Sequence, residues 1–531
     1  MFIHRLSYRI KSSYVLIETV KRKTFLTAFV ILAGLHLALV CASRLYPFTD
    51  LPNHLAAATI YRYFGEPTNR FAEFFALDTF LKPNVFHMLF CSLDIFPSVE
   101  FANRMFFCLY VVLLPLSVLL VIRKLQGNPW FSLLSFLLLY NYNTSWGFVG
   151  FTFSIPLLMF TFSATIDHLE SRRTMSGVVV ASLLVLLFFV HVLAALFSLL
   201  IVLIAALCRR GRPIIGRIAQ CAVVVPVTAL LILWWRTETA TYRGPGVGEF
   251  MLHYYRNDYT ETMLNRGGIL VYDNYHLSEG FQGYALALVF SLCIIIPTFL
   301  VWLQWRRSPQ ASSSVQARKW APLLFGLSLI CCLLLPHEIP QQSILYQRFS
   351  SILLISLVVA GGAFAPREIH LSKRMGTLAI CILHFILWAH CFTEFNRENR
   401  HFTASFFPEN SRNQTLAGLI YDYTFRGRPT YIHAPGYFIT WKQGIATTRI
   451  VDYRYGTVRR KVGGSPFPAY LEWVGRLDNY DGRYNDMDYI LVRGTPTDAA
   501  APYVERLKSV VTGNEWSLYE KTAPPTMQHP R

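Results

Sequence analysis

Residues 281–305 read FQGYALALVFSLCIIIPTFLVWLQW, a run without a single charged side chain. A helix of about 20 residues crosses the hydrocarbon core of a bilayer, which is about 30 Å thick. Comparable apolar runs occur at 101–122 and 177–208. Runs of this length and number predict a polytopic α-helical membrane protein.

The composition of the whole chain agrees with this class. Of 531 residues, 53% are hydrophobic and 15% are charged, whereas soluble proteins carry about 25% charged residues. Most of the ten cysteines lie in apolar runs, so the chain is not a secreted disulfide scaffold. It also lacks a phosphate-binding glycine loop, a Gly-x-Ser-x-Gly elbow and a Cys/His cluster with zinc spacing.

Charge patterning predicts how the chain threads the membrane. We expect eleven spans, at about 24–44, 101–122, 129–144, 148–166, 177–190, 192–208, 216–236, 281–305, 320–336, 345–364 and 375–394. With a cytoplasmic N-terminus, the cytoplasmic segments then hold 21 Lys and Arg against four acidic residues. The net charge of +18 therefore reflects mainly the positive-inside rule and does not indicate nucleic-acid binding.

The run 177–208 allows two interpretations. As one long span, it would place Arg209, Arg212 and Arg217 outside and would reverse every later loop. As two short spans that turn near His191, it keeps these arginines inside, which the positive-inside rule favours. The two short helices would then pack inside the bundle or thin the bilayer locally.

The hairpin interpretation collects the long polar segments on the extracytoplasmic face. They are the first loop (45–100), the turn 141–147, the loop 237–280 and the tail. We divide the chain into a membrane domain, 1–395, and an extracytoplasmic α/β domain, 396–531. In the tail we expect strands at 429–433, 489–493 and 515–520 and a helix at 498–511.

The first loop opens with PFTDLPNHL at 47–55, which carries the most informative residues. In the simplest interpretation, Asp50 caps an amphipathic helix at the membrane surface, and Pro52 lies in its first turn. In the functional interpretation, Asp50 and His54 project together from that turn. A carboxylate beside an imidazole at the membrane boundary is a candidate general base.

Other polar residues are weaker candidates. Arg348 could bind a lipid phosphate through paired hydrogen bonds, or it could extend to the lipid headgroups. Asp78, His191 and Glu338 are candidates for binding an acceptor or a metal. The simpler interpretation is that the carboxylates are solvated and that His191 lies at a solvated turn.

Taken together, these motifs resemble the GT-C superfamily of glycosyltransferases, polytopic enzymes that take sugars from polyprenyl-phosphate carriers. The string Asp50-Leu51-Pro52-Asn53-His54 resembles the Asp-x-Pro-x-His opening of a bacterial GT-C-like set. Further similarities are Lys82-Pro83-Asn84, Gly147-Phe148, His191, and Pro336 followed by Arg348-Phe349. The similarity covers most of residues 24–365 in order and spacing.

The resemblance implies a multi-pass protein of the bacterial inner membrane with its active site and C-terminus on the periplasmic side. Asp50 would be the catalytic base, assisted by His54, while Arg348 and Lys82 would bind the donor phosphate. The donor would be a polyprenyl-phosphate sugar, and the acceptor a glycan, lipid or protein. Some superfamily members use a divalent cation, Mg or Mn, but this sequence lacks a compelling carboxylate set for one.

Two other functions fit an outward-facing membrane protein. One is a transporter or flippase for a lipid-linked glycan, although such proteins often show paired broken helices, which this sequence lacks. The other is an envelope polysaccharide polymerase or ligase, in which we expect the polar residues to cluster in later loops.

Overall fold

The computed structural model describes residues 23–79, 81–171, 173–209, 211–239, 246–307, 315–339, 342–366, 368, 370–452, 456–461, 483–496, 500–504, 506–513 and 515–521. The basic segment 1–22 lies outside the described residues, as do Arg210 and the connector 308–314. All ten cysteines are free thiols.

The helices that follow are numbered in chain order. They are α1 (Lys23–Ala42), α2 (Leu51–Tyr63), α3 (Phe71–Phe74), α4 (Phe86–Cys91), α5 (Val99–Lys124), α6 (Tyr142–Ser145), α7 (Val149–Ser171), α8 (Thr174–Val190), α9 (Val192–Leu207), α10 (Ile214–Cys221), α11 (Val225–Thr239), α12 (Val247–Asn257), α13 (Tyr259–Val271), α14 (Gly280–Arg307), α15 (Val315–Leu334), α16 (Leu345–Phe364), α17 (Leu371–Glu398), α18 (Gly436–Lys442) and α19 (Ala500–Val504).

The strands are numbered in the same way. They are β1 (Phe75–Leu77), β2 (Thr415–Ile420), β3 (Ile445–Ala446), β4 (Val458–Arg460), β5 (Tyr489–Arg493), β6 (Lys508–Thr512) and β7 (Trp516–Glu520).

A bundle of apolar helices dominates the molecule. In the described part of the chain, eight helical segments are long and apolar enough to cross a membrane. They are α1, α5, α7, the continuous run Ile214–Glu238, α14, α15, α16 and α17. The predicted polytopic helical membrane fold with a small C-terminal sheet is therefore confirmed.

The predicted division of 177–208 into two helices at His191 is also confirmed. Helices α8 and α9 are separate, and His191 lies between them in an extended conformation (φ −164°, ψ 121°). At 1.5 Å per residue, each helix is about 25 Å long. The pair can therefore cross most of a bilayer, and both helices pack against α7.

The predicted span at 129–144 runs along α16, but it is not a regular α-helix. The Asn128 N–H donates to the Gly362 carbonyl near one end of α16, and Asn143 Nδ2 donates to the Arg348 carbonyl near the other. The first part of the span is a 3₁₀ helix, Pro129–Leu138, in which every residue from Trp130 onward is buried. This helix packs against α5, α16 and α17. Its sequence is apolar because it lies inside the protein, and an all-round apolar helix need not face lipid.

The predicted amphipathic surface helix after Asp50 is present as α2, but its environment differs from the prediction. Nine residues from Leu51 to Ile60 are buried, and α2 packs against α4, α5 and α18. Because α18 belongs to the tail, α2 is covered by protein and does not lie on a membrane surface.

The tail forms a five-stranded sheet with the order β3-β2-β5-β7-β6. Strand β2 runs parallel to β3 and β5, whereas β7 is antiparallel to β5 and β6. The predicted strands at 489–493 and 515–520 are confirmed as β5 and β7. The predicted strand at 429–433 is wrong, because those residues form turns.

The predicted tail helix at 498–511 is much shorter in the structure. Only α19 is helical, and β6 begins at Lys508, while 497–499 and Glu505 lie outside the described residues. β-branched Val510 and Val511 favour a strand at this point.

A second, two-stranded sheet joins the tail to the first loop. Strand β4 pairs antiparallel with β1, with Phe75 opposite Arg460 and Leu77 opposite Val458. The Asp78 N–H extends this pairing by donating to the Thr457 carbonyl over 2.8 Å. The first loop and the tail therefore form one continuous structure over this end of the bundle.

The orientation of the protein in the membrane can be tested on either side of the helix run Ile214–Glu238. We expect a reporter fused after Arg212 to be cytoplasmic and one fused after Asp258 to be extracytoplasmic, because a spanning helix separates the two points. Green fluorescent protein and alkaline phosphatase fusions report the two compartments. The reverse pattern would place the first loop and the tail in the cytoplasm, and equal localisation would show that Ile214–Glu238 does not span.

Candidate functional site

A cavity of about 270 Å³ lies where the first loop, the turn 141–147, the α8–α9 turn and the start of α16 meet. Its polar lining includes Asp50, His54, Asn84, His191 and Arg348. These residues are separated by up to about 300 positions in the chain. The structure therefore brings together most of the residues that sequence patterns single out as candidates.

Backbone hydrogen bonds place Asp50 at the cavity. The Thr49 N–H donates to the Ser145 carbonyl and the Asp50 N–H to the Trp146 carbonyl, each over 3.0 Å. Asp50 occupies the N-cap position of α2, but its side chain accepts no capping hydrogen bond. The interpretation of Asp50 as a helix cap is therefore wrong, and its carboxylate is available for other contacts.

Gly147 permits this close approach of the two segments. Its φ is +76°, a conformation that residues with a Cβ rarely adopt. A Cβ at this position would lie 2.7 Å from the Asp50 nitrogen. The Gly147-Phe148 motif thus has a structural explanation, namely the contact that seats Asp50.

The tail supplies a contact that sequence patterns did not reveal. The imidazole Nε2 of His433 lies 3.0 Å from Asp50 Oδ1, and the His433 side chain is completely buried. Ile450, Thr457 and Val458 of the tail also line the cavity. A lone histidine in a turn-rich tail carries no sequence signal, because its partner lies 383 positions away.

His54, which is partly exposed, and the neighbouring buried His87 are imidazoles in the cavity wall. Burial lowers the pKa of His54 to about 4; Asp50 opposes this shift, whereas His433 and Arg348 reinforce it. Burial likewise lowers the pKa of His87 to about 3. Both rings are therefore neutral near pH 7 and can bind polar groups without adding positive charge.

Arg348 brings a cation into the cavity. Its guanidinium lies 3.9 Å from the centroid of the Phe148 ring, and its Nε donates to the Ile344 carbonyl over 3.1 Å. Its Nη1 lies 3.2 Å from Nε2 of His191. These contacts direct the side chain inward, away from the position that an arginine extending to the headgroups would take.

Asn84 links the first loop to the α8–α9 turn. It adopts a left-handed conformation (φ +65°), and its Oδ1 accepts a hydrogen bond from the Val192 N–H over 2.9 Å. The Lys82-Pro83-Asn84 motif therefore caps the first turn of α9 and closes one side of the cavity.

Lys82 lies outside the cavity lining. Its buried ammonium contacts Asp78 over 2.8 Å and Glu238 over 2.9 Å, and Arg459 of β4 contacts Asp78 over 2.6 Å. Burial opposes ionisation of Asp78, but hydrogen bonds from Lys82 and the Thr79 N–H outweigh it and lower the Asp78 pKa. The structure thus places Lys82 and Asp78 in an ion cluster that joins three segments.

The remaining candidate, Glu338, is exposed and does not line the cavity. In the described part of the chain, no three His, Cys, Asp or Glu residues are grouped so that they could hold a metal ion. Asp50 is the only carboxylate among the described cavity-lining residues. Divalent magnesium or manganese prefers several oxygen ligands, so these residues do not fit a preformed cation site.

Comparison with known proteins finds similar solved structures but no similar sequence. No protein-family model matches the chain, and no curated protein matches its sequence. Among solved structures, the crystal structure of ArnT from Cupriavidus metallidurans in the apo state is similar, with a TM-score of 0.46 and 12% sequence identity. The alignment covers 95% of this chain and 99% of that chain. A likeness of this degree carries no argument about function.

The Gly147 contact can be tested against a matched glycine. Gly280 has a similar φ of +80°, but no described atom lies within 4 Å of the position that a Cβ would occupy there. Both Ala variants incur a similar conformational penalty, about 1–2 kcal/mol. We expect Gly147→Ala to lose about 1–3 kcal/mol more, because its Cβ overlaps the Asp50 backbone.

Thermal unfolding in detergent measures this difference. A clearly lower melting temperature for Gly147→Ala than for Gly280→Ala is expected. Equal melting temperatures would mean that the Asp50 segment can move away from the turn 141–147 without loss, which contradicts the proposed seating of Asp50.

Proposed function

We propose that this protein is an integral membrane glycosyltransferase of GT-C type. It would transfer a sugar from a polyprenyl-phosphate carrier to an acceptor on the periplasmic face of a bacterial inner membrane. The observation that carries the proposal is the convergence of Asp50, His54, Asn84, His191 and Arg348 on one cavity. Hydropathy alone does not require these residues to meet.

The reaction needs a base for the acceptor and an electrostatic partner for the leaving group. In the proposed step, Asp50 accepts the proton of the acceptor hydroxyl while that oxygen attacks the anomeric carbon of the donor sugar. The bond between the anomeric carbon and the phosphate oxygen breaks, and its electron pair leaves with the lipid phosphate. A phosphate leaving group is already acidic and needs little protonation.

Arg348 and His191 support an anion-binding role for this part of the cavity. The Leu193 N–H lies 3.3 Å from His191 Nδ1 and donates to it. A neutral ring with Nδ1 accepting carries its proton on Nε2. That N–H and the Arg348 guanidinium, 3.2 Å apart, are then both donors. Two donors that face each other repel. An anion such as a lipid phosphate can accept a hydrogen bond from both and would remove this repulsion.

His54 suits a different task. A neutral imidazole beside Asp50 can hydrogen-bond a sugar or acceptor hydroxyl without competing with Arg348 for the phosphate. The ionised groups of the cavity are thus divided, with the carboxylate of Asp50 and the guanidinium of Arg348 on different segments. This division supports a reaction in which a proton and an anion depart in different directions. The proposed step does not pass through a metal ion.

Asp50→Asn tests the base directly. The side chain accepts no cap hydrogen bond, so the substitution removes little structure, and the amide cannot accept the proton. We expect sugar transfer from a lipid-linked donor to fall about 10²–10⁴-fold, with thermal unfolding nearly unchanged. The assay uses purified protein in nanodiscs and a panel of polyprenyl-phosphate sugars, with release of polyprenyl phosphate as the readout.

Asp94→Asn is the matched control, since Asp94 lies in the same loop with its side chain 92% exposed and paired with Arg62. It should retain full activity. Full activity of Asp50→Asn would refute the base assignment. Movement of an intact lipid-linked glycan across the membrane, without polyprenyl phosphate release by the wild type, would instead favour the flippase.

A further inference from the structure

The contact between Asp50 and His433 joins the membrane domain to the tail at a single carboxylate. His433 Nε2 lies 3.0 Å from Asp50 Oδ1, with the His433 side chain wholly buried and that of Asp50 26% exposed. A carboxylate only accepts hydrogen bonds, so this contact is favourable when Nε2 carries the proton.

The tail binds the same turn that carries Asp50. A Cβ on Gly436, the first residue of α18, would lie 2.7 Å from the Pro52 carbonyl oxygen, so the two backbones are in close contact. Thr448 Oγ1 donates to Asn53 Oδ1 over 2.5 Å. The His433 carbonyl accepts from the Gly436 N–H over 3.0 Å, which places the His433 backbone at the start of α18.

We propose that His433 is a positioning residue for the reaction, and that the tail thereby completes the catalytic centre. The inference rests on the proposed function, because it assigns His433 a task only if Asp50 is the base. His433 itself does not line the cavity. It acts on the substrate through Asp50 alone.

One physical effect follows from this contact. The buried imidazole lies against Oδ1 and limits the rotation of the carboxylate, so that Asp50 keeps one orientation towards the cavity. Four other titratable or charged groups among the described residues line the same cavity. They are His54 on α2, His87 on α4, His191 between α8 and α9, and Arg348 on α16. Of these, Arg348 alone carries a permanent charge.

Substitutions at His433 separate positioning from packing. His433→Ala removes the donor, whereas His433→Gln retains an N–H at about the reach of Nε2. We expect His433→Ala to lower kcat about 10–100-fold, the range expected when a charged group loses a polar partner. KM for the donor should change little, because His433 is outside the cavity lining. His401→Ala, at an exposed tail histidine, is the matched control and should behave as the wild type.

Rescue by glutamine is the readout that a packing role would not move. Glutamine offers an N–H to Asp50 but does not fill the space of the imidazole ring, so kcat should return towards the wild-type value in His433→Gln. In the Asp50→Asn background, adding His433→Ala should cause no further loss, since both changes act on one group.

The outcomes are distinct for the inference and for the proposed function. Wild-type kcat in His433→Ala, a loss of kcat that Gln does not restore, or an additive loss in the double variant would each overturn the inference. If His433→Ala does not fold, the kcat values of His433→Gln and of its double variant with Asp50→Asn decide by the same criteria. Full activity of Asp50→Asn would refute the proposed base itself, whatever His433 does.

Discussion

Two backbone hydrogen bonds, from Thr49 to Ser145 and from Asp50 to Trp146, determine where the chemistry of this molecule can occur. They join two irregular segments at the end of a helix bundle, where unpaired backbone groups would be costly. Gly147 allows the approach, and α2 begins directly after it. Every group that faces Asp50 depends on this seating.

The tail also holds the first loop in position. Its strand β4 pairs with β1 of the first loop, and the ion cluster of Lys82, Asp78, Glu238 and Arg459 anchors that pairing to the end of α11. Buried ion pairs add little net stability compared with apolar packing, but breaking one leaves an uncompensated charge. The cluster therefore favours one relative position of loop, bundle and tail over alternatives, which keeps the cavity walls in register.

Sequence patterns predicted the bundle well because hydropathy and charge sidedness are strong physical signals. The hairpin at His191 followed from the positions of arginines, and the grouping of Asp50, His54, His191 and Arg348 followed from a motif constellation. The failures have a common cause. Apolar composition does not distinguish lipid from protein surroundings, so it predicts neither the 3₁₀ form of the fully buried Pro129–Leu138 nor the burial of helix α2.

Sequence patterns also do not predict polar contacts between residues that are far apart in the chain. His433 and Asp50, or Lys82 and Glu238, are paired only by the tertiary structure, and no local pattern marks such partners. Lys82 illustrates the consequence, since a basic residue beside a motif resembles a phosphate ligand until its carboxylate partners are known. The Asp50 cap failed for the same reason, because a good N-cap residue can instead be oriented by a distant imidazole.

The proposed reaction requires a lipid phosphate to bind in the cavity between the first loop, α16 and the tail. An electron cryo-microscopy structure of the protein in nanodiscs with polyprenyl phosphate bound would locate that phosphate. We expect the phosphate within hydrogen-bond distance of the Arg348 guanidinium and His191 Nε2, on the same cavity wall as Asp50. Phosphate density at the opposite end of the bundle, with this cavity empty, would contradict the proposed reaction.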